Sequence, residues 1–303
     1  MTLAKTHASS LITGLRSVSI QVPDMALAET FFTHTWGLKV SDRTSESLYL
    51  RASGSDHHVL ALHRGSEPAS LKCVTLRAAS EQALTELTQR TVQAGGKVLQ
   101  EISPITDPSG GVGVTLADPM GRIYQVVYGD AQLAPVNEAE APYRLAHVVL
   151  NSVDVPASQK FLEDVMDFSM SDRTRVMAFM RCNSDHHSIA MAESDNNALN
   201  HIAFLVPDLE AVMRGGGRMK DAGYPIEWGP GRHGPGHNAF NYFVGPFNLV
   251  IEYTSEVEQI DDSYQPGQPS DWKWPDGRMD HWGISTPPSR RMKDAQTEVF
   301  FAS

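Results

Sequence analysis

Residues 229–252 read GPGRHGPGHNAFNYFVGPFNLVIE and predict two short strands that follow a glycine–proline loop. The aromatic run at 239–244 is typical of a buried strand, and the GPFN turn separates it from a second strand, LVIEY, at 249–253. Glu252 is the exception in this second strand, because a carboxylate is rarely buried unless it is paired or binds a metal. Glu252 therefore requires a partner elsewhere in the chain.

Outward from this stretch, the chain repeats itself. Two four-residue motifs occur twice at similar spacing: SDRT at 41–44 and 171–174, and SDHH at 55–58 and 184–187. In each copy they follow an apolar strand and a helical segment, and a related unit comes next, at 71–128 and at 199–253. Each of the four units predicts the order β-α-β-β-β. We therefore predict an α+β fold of two domains, each a pair of βαβββ modules.

A polar, proline-containing linker divides the two pairs of modules. The predicted parts are an N-terminal domain without a metal (1–133), the linker (134–143), a C-terminal catalytic, metal-binding domain (144–258) and a tail (259–303). The tail has no repeat and is rich in proline, glycine and aspartate. Its tryptophans Trp272, Trp274 and Trp282 indicate a packed arm or lid rather than a disordered segment.

Composition excludes several classes of function. A net charge of −11 over 303 residues argues against an electrostatic nucleic-acid binder, and the apolar runs are too short to span a membrane. The first 14 residues lack the apolar region of a secretory signal and indicate a short polar leader. Cys73 and Cys182 provide no disulfide framework, so we expect a cytoplasmic protein.

Aligning the halves singles out three polar residues on otherwise apolar strands of the second half. These residues are His147, His201 and Glu252, and their counterparts in the first half are Ser17, Cys73 and Gln125. Taken singly, each is best interpreted as a core polar residue satisfied by the backbone. Taken together, two histidines and a carboxylate predict a metal site of the kind that non-haem Fe(II) oxygenases use, with Mn(II) as the next candidate.

The paired modules resemble the vicinal oxygen chelate superfamily, and the second half resembles the type I extradiol catechol dioxygenases. The resemblance covers about residues 13–258 and rests on the phrase GRHGPGHNAFNYF and on the histidine spacing. It implies metal ligation by His147, His201 and Glu252, and catalytic roles for three further residues: His187, His233 and Tyr242. It also implies Fe(II)- and O₂-dependent cleavage of an aromatic diol, and a homo-oligomer, tetrameric or larger.

The catalytic histidines each have a neighbour that competes for the role. We expect His187 to face inward and His186 to lie on the surface, because adjacent strand residues point to opposite faces. His233 is preferred to His237 on its spacing to Tyr242. His187 would transfer protons during oxygen activation, while His233 and Tyr242 would hydrogen-bond the substrate oxygens.

Two other classes remain open. A glyoxalase-type isomerase or lyase would typically require a fourth protein ligand, which the first half does not supply at the equivalent positions. A non-catalytic protein that binds small molecules would not need the three ligands. The substrate is equally open among catechol, trihydroxylated rings and bicyclic diols. We expect the first half to be a scaffold that covers the open face of the second domain and supports the oligomer.

Overall fold

The computed structural model describes residues 10–302, in which the four predicted modules follow one another along the chain. Residues 1–9, most of the predicted polar leader, lie outside the described part. The first half comprises β1 (Ile12–Val22), α1 (Met25–Thr30), β2 (Lys39–Arg43), β3 (Ser47–Arg51), β4 (Leu60–Arg64), β5 (Ser70–Ala78), α2 (Glu81–Gln93), β6 (Lys97–Pro104), β7 (Val112–Ala117) and β8 (Ile123–Tyr128).

The second half repeats this order and adds a tail helix. It comprises β9 (Arg144–Ser152), α3 (Val155–Met166), β10 (Ser169–Arg173), β11 (Met177–Arg181), β12 (Ile189–Glu193), β13 (Leu199–Leu205), α4 (Leu209–Asp221), β14 (Trp228–Arg232), β15 (Ala239–Val244), β16 (Val250–Ser255) and α5 (Arg290–Ala295). None of the helices within residues 10–302 combines the length and the apolar content needed to cross a membrane.

The helix of each module begins at a side chain that caps it. Asp24, Ser80, Asp154 and Asp208 each accept a hydrogen bond from a backbone N–H in the first turn of the helix that follows. A cap of this kind contributes about 1 kcal/mol and satisfies an N–H group that the helix itself cannot pair. The four caps therefore define the residue at which the helix of each module begins.

Each half forms one eight-stranded sheet with the same strand order. The orders are β2-β3-β4-β1-β5-β8-β7-β6 and β10-β11-β12-β9-β13-β16-β15-β14. The first strands of the paired modules, β1 with β5 and β9 with β13, lie antiparallel at the centre of each sheet. This arrangement confirms the predicted α+β fold of paired βαβββ modules.

The two halves meet through aromatic side chains. Trp36, just after α1, stacks on Tyr253 of β16 with ring centroids 3.7 Å apart, and the Tyr253 hydroxyl donates to the Trp36 carbonyl. Side chains alternate along a strand, so Tyr253 and Glu252 lie on opposite faces of the sheet. The first half therefore packs against the face of β16 that is opposite to Glu252. The expectation that it covers the open face of the second domain is wrong.

The tail packs against both halves. Phe300 accepts a hydrogen bond from the backbone N–H of Leu71 at the start of β5, and Val299 accepts one from Leu199 at the start of β13. Earlier tail residues, Trp272, Trp274 and Met279, line a cavity beside the second sheet. The open side of that sheet is thus covered by the tail.

Candidate metal centre

Three neighbouring strands present the predicted ligands side by side. His147 lies on β9, His201 on β13 and Glu252 on β16, and these strands are adjacent in the sheet. In the register, Ala203 lies between His147 and Glu252 and pairs with both. His201 is two residues before Ala203 and therefore faces the same side. Strand alternation thus brings the three side chains onto one face.

The ligand atoms of these residues are at distances that suit a metal ion. The Glu252 Oε2 atom lies 3.1 Å from His147 Nε2 and 3.4 Å from His201 Nε2, and the two Nε2 atoms are 3.4 Å apart. Ligands about 2.1 Å from a divalent ion and at right angles to each other would be about 3.0 Å apart. Two imidazoles and one carboxylate are also a donor set that Fe(II) and Mn(II) accept. The residues present therefore fit the ion.

Glu252 is fully buried, yet its environment favours the charged form. Burial by itself raises the pKa of a carboxyl group, but the three nearby histidines, His147 foremost, hold the pKa of Glu252 well below its usual value. The groups that pair with this carboxylate in the described residues are histidines rather than lysine or arginine. A dication would complete the charge balance.

His201 is held with its ligand nitrogen directed at the centre. Its Nδ1 lies 2.8 Å from the Asn200 side-chain oxygen, which also accepts a hydrogen bond from Gln296 of the tail. An amide oxygen can only accept, so the proton of the ring is on Nδ1 and Nε2 carries a free lone pair. Burial lowers the pKa of His201 to about 4, which keeps the ring neutral near pH 7. The sequence did not predict these roles of Asn200 and Gln296, because the two residues are far apart in the chain and meet only in the folded structure.

His187 lies beside the ligands, and the expected position of His186 is wrong. The rings of His187 and His147 have centroids 4.2 Å apart, and His187 lines the cavity. His186 is fully buried rather than on the surface. The two residues precede β12 in an irregular segment, so the alternation of a strand does not apply to them. Both rings therefore turn inward.

His233 and Tyr242 form the opposite side of the centre. His233 Nε2 lies 3.0 Å from the Tyr242 hydroxyl, which is itself 3.5 Å from His201 Nε2. Burial, reinforced by the Glu252 charge, raises the pKa of Tyr242 well above its usual value, so the hydroxyl stays protonated. His237 is exposed and instead contacts His281. The geometry thus places His233, rather than His237, near the predicted ligands.

A cavity of about 540 Å³ opens onto His147 and His201, while the third predicted ligand, Glu252, lies buried behind them. Its walls are mostly apolar and aromatic, with Trp228 from the second half and Trp272, Trp274 and Met279 from the tail. Phe240 lies behind this wall, with its ring stacked on that of His233. Among the described residues, those that line the cavity all lie after residue 146, so the first half contributes none of the walls.

The two modules of the second half are equivalent, so His147 corresponds to His201 and one residue of β12 corresponds to Glu252. The strand register identifies that fourth residue. Glu252 pairs across the sheet with Ala203, which is two residues after His201. The corresponding residue two positions after His147 is Val149, and it pairs with Ala190 of β12. Ala190 is fully buried and offers no ligand atom. The second half thus brings three potential protein ligands together and leaves the fourth position apolar.

The equivalent positions of the first half contain no such set. The register of β1, β5 and β8 places Ser17, Thr75 and Gln125 in one row, and Cys73 is two residues before Thr75. Thr75 hydrogen-bonds to the Gln125 side chain, and Cys73 lies 3.9 Å from Thr75 Oγ1. Ser17 Oγ instead accepts a hydrogen bond from Arg16.

A double variant in the first half should leave the metal centre intact. We expect Cys73→Ala combined with Gln125→Ala to retain one metal ion per chain and turnover within about twofold of wild type, because sites this far apart act independently. Metal analysis and oxygen uptake would measure the two quantities. Loss of activity in a variant that is still folded by circular dichroism would contradict the scaffold role of this half.

Comparison with known proteins places this geometry in context. A family model described as the Glyoxalase/Bleomycin resistance protein/Dioxygenase superfamily matches residues 14–122 and 144–253. Metapyrocatechase 2 of Cupriavidus necator is 29% identical in an alignment of 300 positions that covers 89% of this chain and 88% of the relative. The manganese-dependent 2,3-dihydroxybiphenyl 1,2-dioxygenase of Geobacillus genomosp. 3 is 23% identical in an alignment of 254 positions that covers 76% of this chain and 80% of the relative.

A solved structure is also similar along nearly the whole chain. The Mn(II)-bound glyoxalase from Novosphingobium aromaticivorans superposes with a TM-score of 0.86 and is 34% identical in sequence. The match covers 93% of this chain and 94% of that protein. Proteins named as dioxygenases and as a glyoxalase are therefore both similar to this chain over most of its length.

Proposed function

The chain belongs to the Glyoxalase/Bleomycin resistance protein/Dioxygenase superfamily, and within it we propose that the protein is an extradiol ring-cleaving dioxygenase. It would use Fe(II) or Mn(II), held by His147, His201 and Glu252, together with O₂, to open an aromatic diol beside its hydroxyl groups. One observation carries this proposal: the cavity that contains His187, His233 and Tyr242 also exposes two members of the cluster His147, His201 and Glu252, while the fourth position holds Ala190.

The surrounding side chains suit the handling of a diol and its protons. When bound, the metal ion would supply Lewis acidity and open coordination positions for the two substrate oxygens and O₂. Tyr242 keeps its proton and can donate to a substrate oxygen, and His233 lies 3.0 Å from that hydroxyl. His187 is buried, and burial holds its pKa well below the usual value, so the neutral ring is available to accept a proton.

The cavity favours a substrate larger than catechol itself. Its volume of about 540 Å³ falls within the range of roughly 300–1,000 Å³ for pockets that enclose drug-sized ligands. Two of the lining tryptophans, Trp228 and Trp274, offer flat apolar surfaces against which a second ring or an apolar substituent can pack. We therefore favour a substituted or bicyclic diol, a class that includes the dihydroxybiphenyl for which the Geobacillus genomosp. 3 relative is named.

A glyoxalase-type reaction is the second candidate, favoured by the 34% identity to the Mn(II)-bound glyoxalase. That chemistry would typically use a fourth protein ligand, and the buried Ala190 at the fourth position cannot provide one. A binding protein without catalysis would have no need of the three ligands at all. Both alternatives predict no oxygen consumption with a diol.

An oxygen-uptake assay tests the proposal directly. Protein purified without oxygen and reconstituted separately with Fe(II) and Mn(II) would be given catechol, 3-methylcatechol, pyrogallol and 2,3-dihydroxybiphenyl. We expect stoichiometric oxygen uptake and a yellow ring-opened product, with kcat/KM highest for the bicyclic diol. Isomerisation of a methylglyoxal–glutathione adduct, without any diol-dependent oxygen uptake, would instead support the hypothesis of a glyoxalase-type reaction.

A further inference from the structure

The two motifs that repeat in the sequence meet in the second half. Asp172 of the SDRT motif and His186 of the SDHH motif are both fully buried, and His186 Nε2 lies 2.8 Å from Asp172 Oδ2. The other ring nitrogen of His186, Nδ1, lies 3.0 Å from Nδ1 of His187. A continuous chain of contacts thus runs from a buried carboxylate to the cavity-lining histidine.

The carboxylate determines where the protons in this chain reside. A carboxylate only accepts hydrogen bonds, so His186 must carry a proton on Nε2. In a neutral His186, Nδ1 is then an acceptor, and it can contact the Nδ1 of His187 favourably only if that nitrogen carries a proton. The remaining nitrogen of His187, Nε2, is therefore unprotonated.

We propose that Asp172 is a positioning residue which, through His186, holds His187 in the tautomer that offers an unprotonated Nε2 to the cavity. The tautomer assignment does not depend on the reaction, whereas its expected effect on turnover rests on the proposed dioxygenase function. If Nε2 of His187 carries a lone pair, it can accept a proton from the substrate and later give that proton back. If Nε2 already carries a proton, it can only donate that proton and cannot accept one first.

The tail completes the surroundings of this carboxylate. Asp172 Oδ1 accepts a hydrogen bond of 2.7 Å from the backbone N–H of Gly267, and the Tyr264 hydroxyl donates from 3.2 Å. These two hydrogen bonds fix the orientation of the Asp172 side chain toward His186. The tail therefore supports the chain of contacts from the outside.

The first half lacks this support although it keeps both motifs. His57 and His58 also place their Nδ1 atoms 3.1 Å apart. The counterpart of Asp172, however, is Asp42, which is exposed and accepts a hydrogen bond from the neighbouring Arg43 N–H. The buried carboxylate thus belongs to the half that carries the metal ligands, and Asp42 offers a matched control.

The test is Asp172→Asn, which exchanges one oxygen for an NH₂ group of nearly the same shape. The amide oxygen can still accept from Gly267 while the NH₂ donates to His186 Nε2. That donation moves the His186 proton to Nδ1, and His187 must then carry its own proton on Nε2. We expect metal content and KM to stay within about twofold while kcat falls roughly 10- to 100-fold, as for other supporting groups around a metal site.

The tautomer itself is measurable without turnover. Long-range ¹H–¹⁵N spectra of ¹⁵N-histidine-labelled protein loaded with diamagnetic Zn(II) should show His187 as the Nδ1–H tautomer in wild type and the Nε2–H tautomer in Asp172→Asn. The signal that disappears in His187→Phe identifies the residue. An Nε2–H tautomer in wild type, or no change in the variant, would overturn the proposal.

Two kinetic comparisons separate positioning from general damage. Asp42→Asn should leave kcat unchanged. The double variant Asp172→Asn, His187→Phe should have a kcat less than about twofold below that of His187→Phe alone. The effects of substitutions at residues of one contacting network are not additive. An equal loss in both backgrounds would show that Asp172 acts structurally. If wild type consumed no oxygen with any diol, the proposed function would fail, while the spectra would still decide the tautomer.

Discussion

A His201→Ala variant is expected to purify with almost no metal and to show no detectable diol cleavage. The change removes one of three potential ligand atoms that lie within 4.8 Å of one another. Metal analysis of protein purified in parallel with wild type measures the loss directly. Wild type should contain one ion per chain, bound in the second half.

The control is His237→Ala, which removes an exposed imidazole from the glycine–proline loop. Its metal content and turnover should match wild type. Stoichiometric metal in His201→Ala would show that the three residues do not form the site. Two ions per chain in wild type would contradict the restriction of the centre to the second half.

The second large effect is expected from His187→Phe. Phenylalanine fills a similar volume but cannot exchange protons, so turnover should fall by about two to four orders of magnitude, the usual range for positioned acid–base catalysis. Metal content and diol affinity should remain near wild type, because His147, His201 and Glu252 are unchanged. Single-turnover kinetics under saturating O₂, together with product analysis, would measure the defect.

His58→Phe provides the matched control for this variant. His58 occupies the same position in the SDHH motif of the first half and is equally buried, but it contacts Arg16 rather than a predicted metal ligand. The same substitution there should affect stability without a specific loss of turnover. Full activity in His187→Phe would remove the proton-transfer role and much of the preference for extradiol cleavage.

The repeat predicted the row of ligands because it is a property of strand register. Once the two halves are aligned, Ser17 and His147 occupy equivalent places on β1 and β9, and the sheets confirm this pairing. The prediction that Glu252 has a partner likewise followed from the cost of burying a charge in an apolar strand. Such inferences need only local pattern and periodicity.

The errors arose where backbone regularity ends. The prediction that His186 faces solvent assumed a strand, but the SDHH segment is irregular and both histidines turn inward. The role of Gln296 depends on the path of a tail that has no periodic pattern. Ala190 became informative only when the observed register related it to Glu252, since an alanine carries no chemical signal of its own.

The stack of Trp36 on Tyr253 bears on how such a repeated gene can change over time. A copy without metal ligands would ordinarily be free to disappear, but Trp36 also contacts Phe204 and Phe243 of the other copy. A gene shortened to the second copy would encode a protein with these rings exposed to water, a surface of the kind that promotes aggregation. The first copy can therefore lose its chemistry by mutation but cannot be deleted without harming the second.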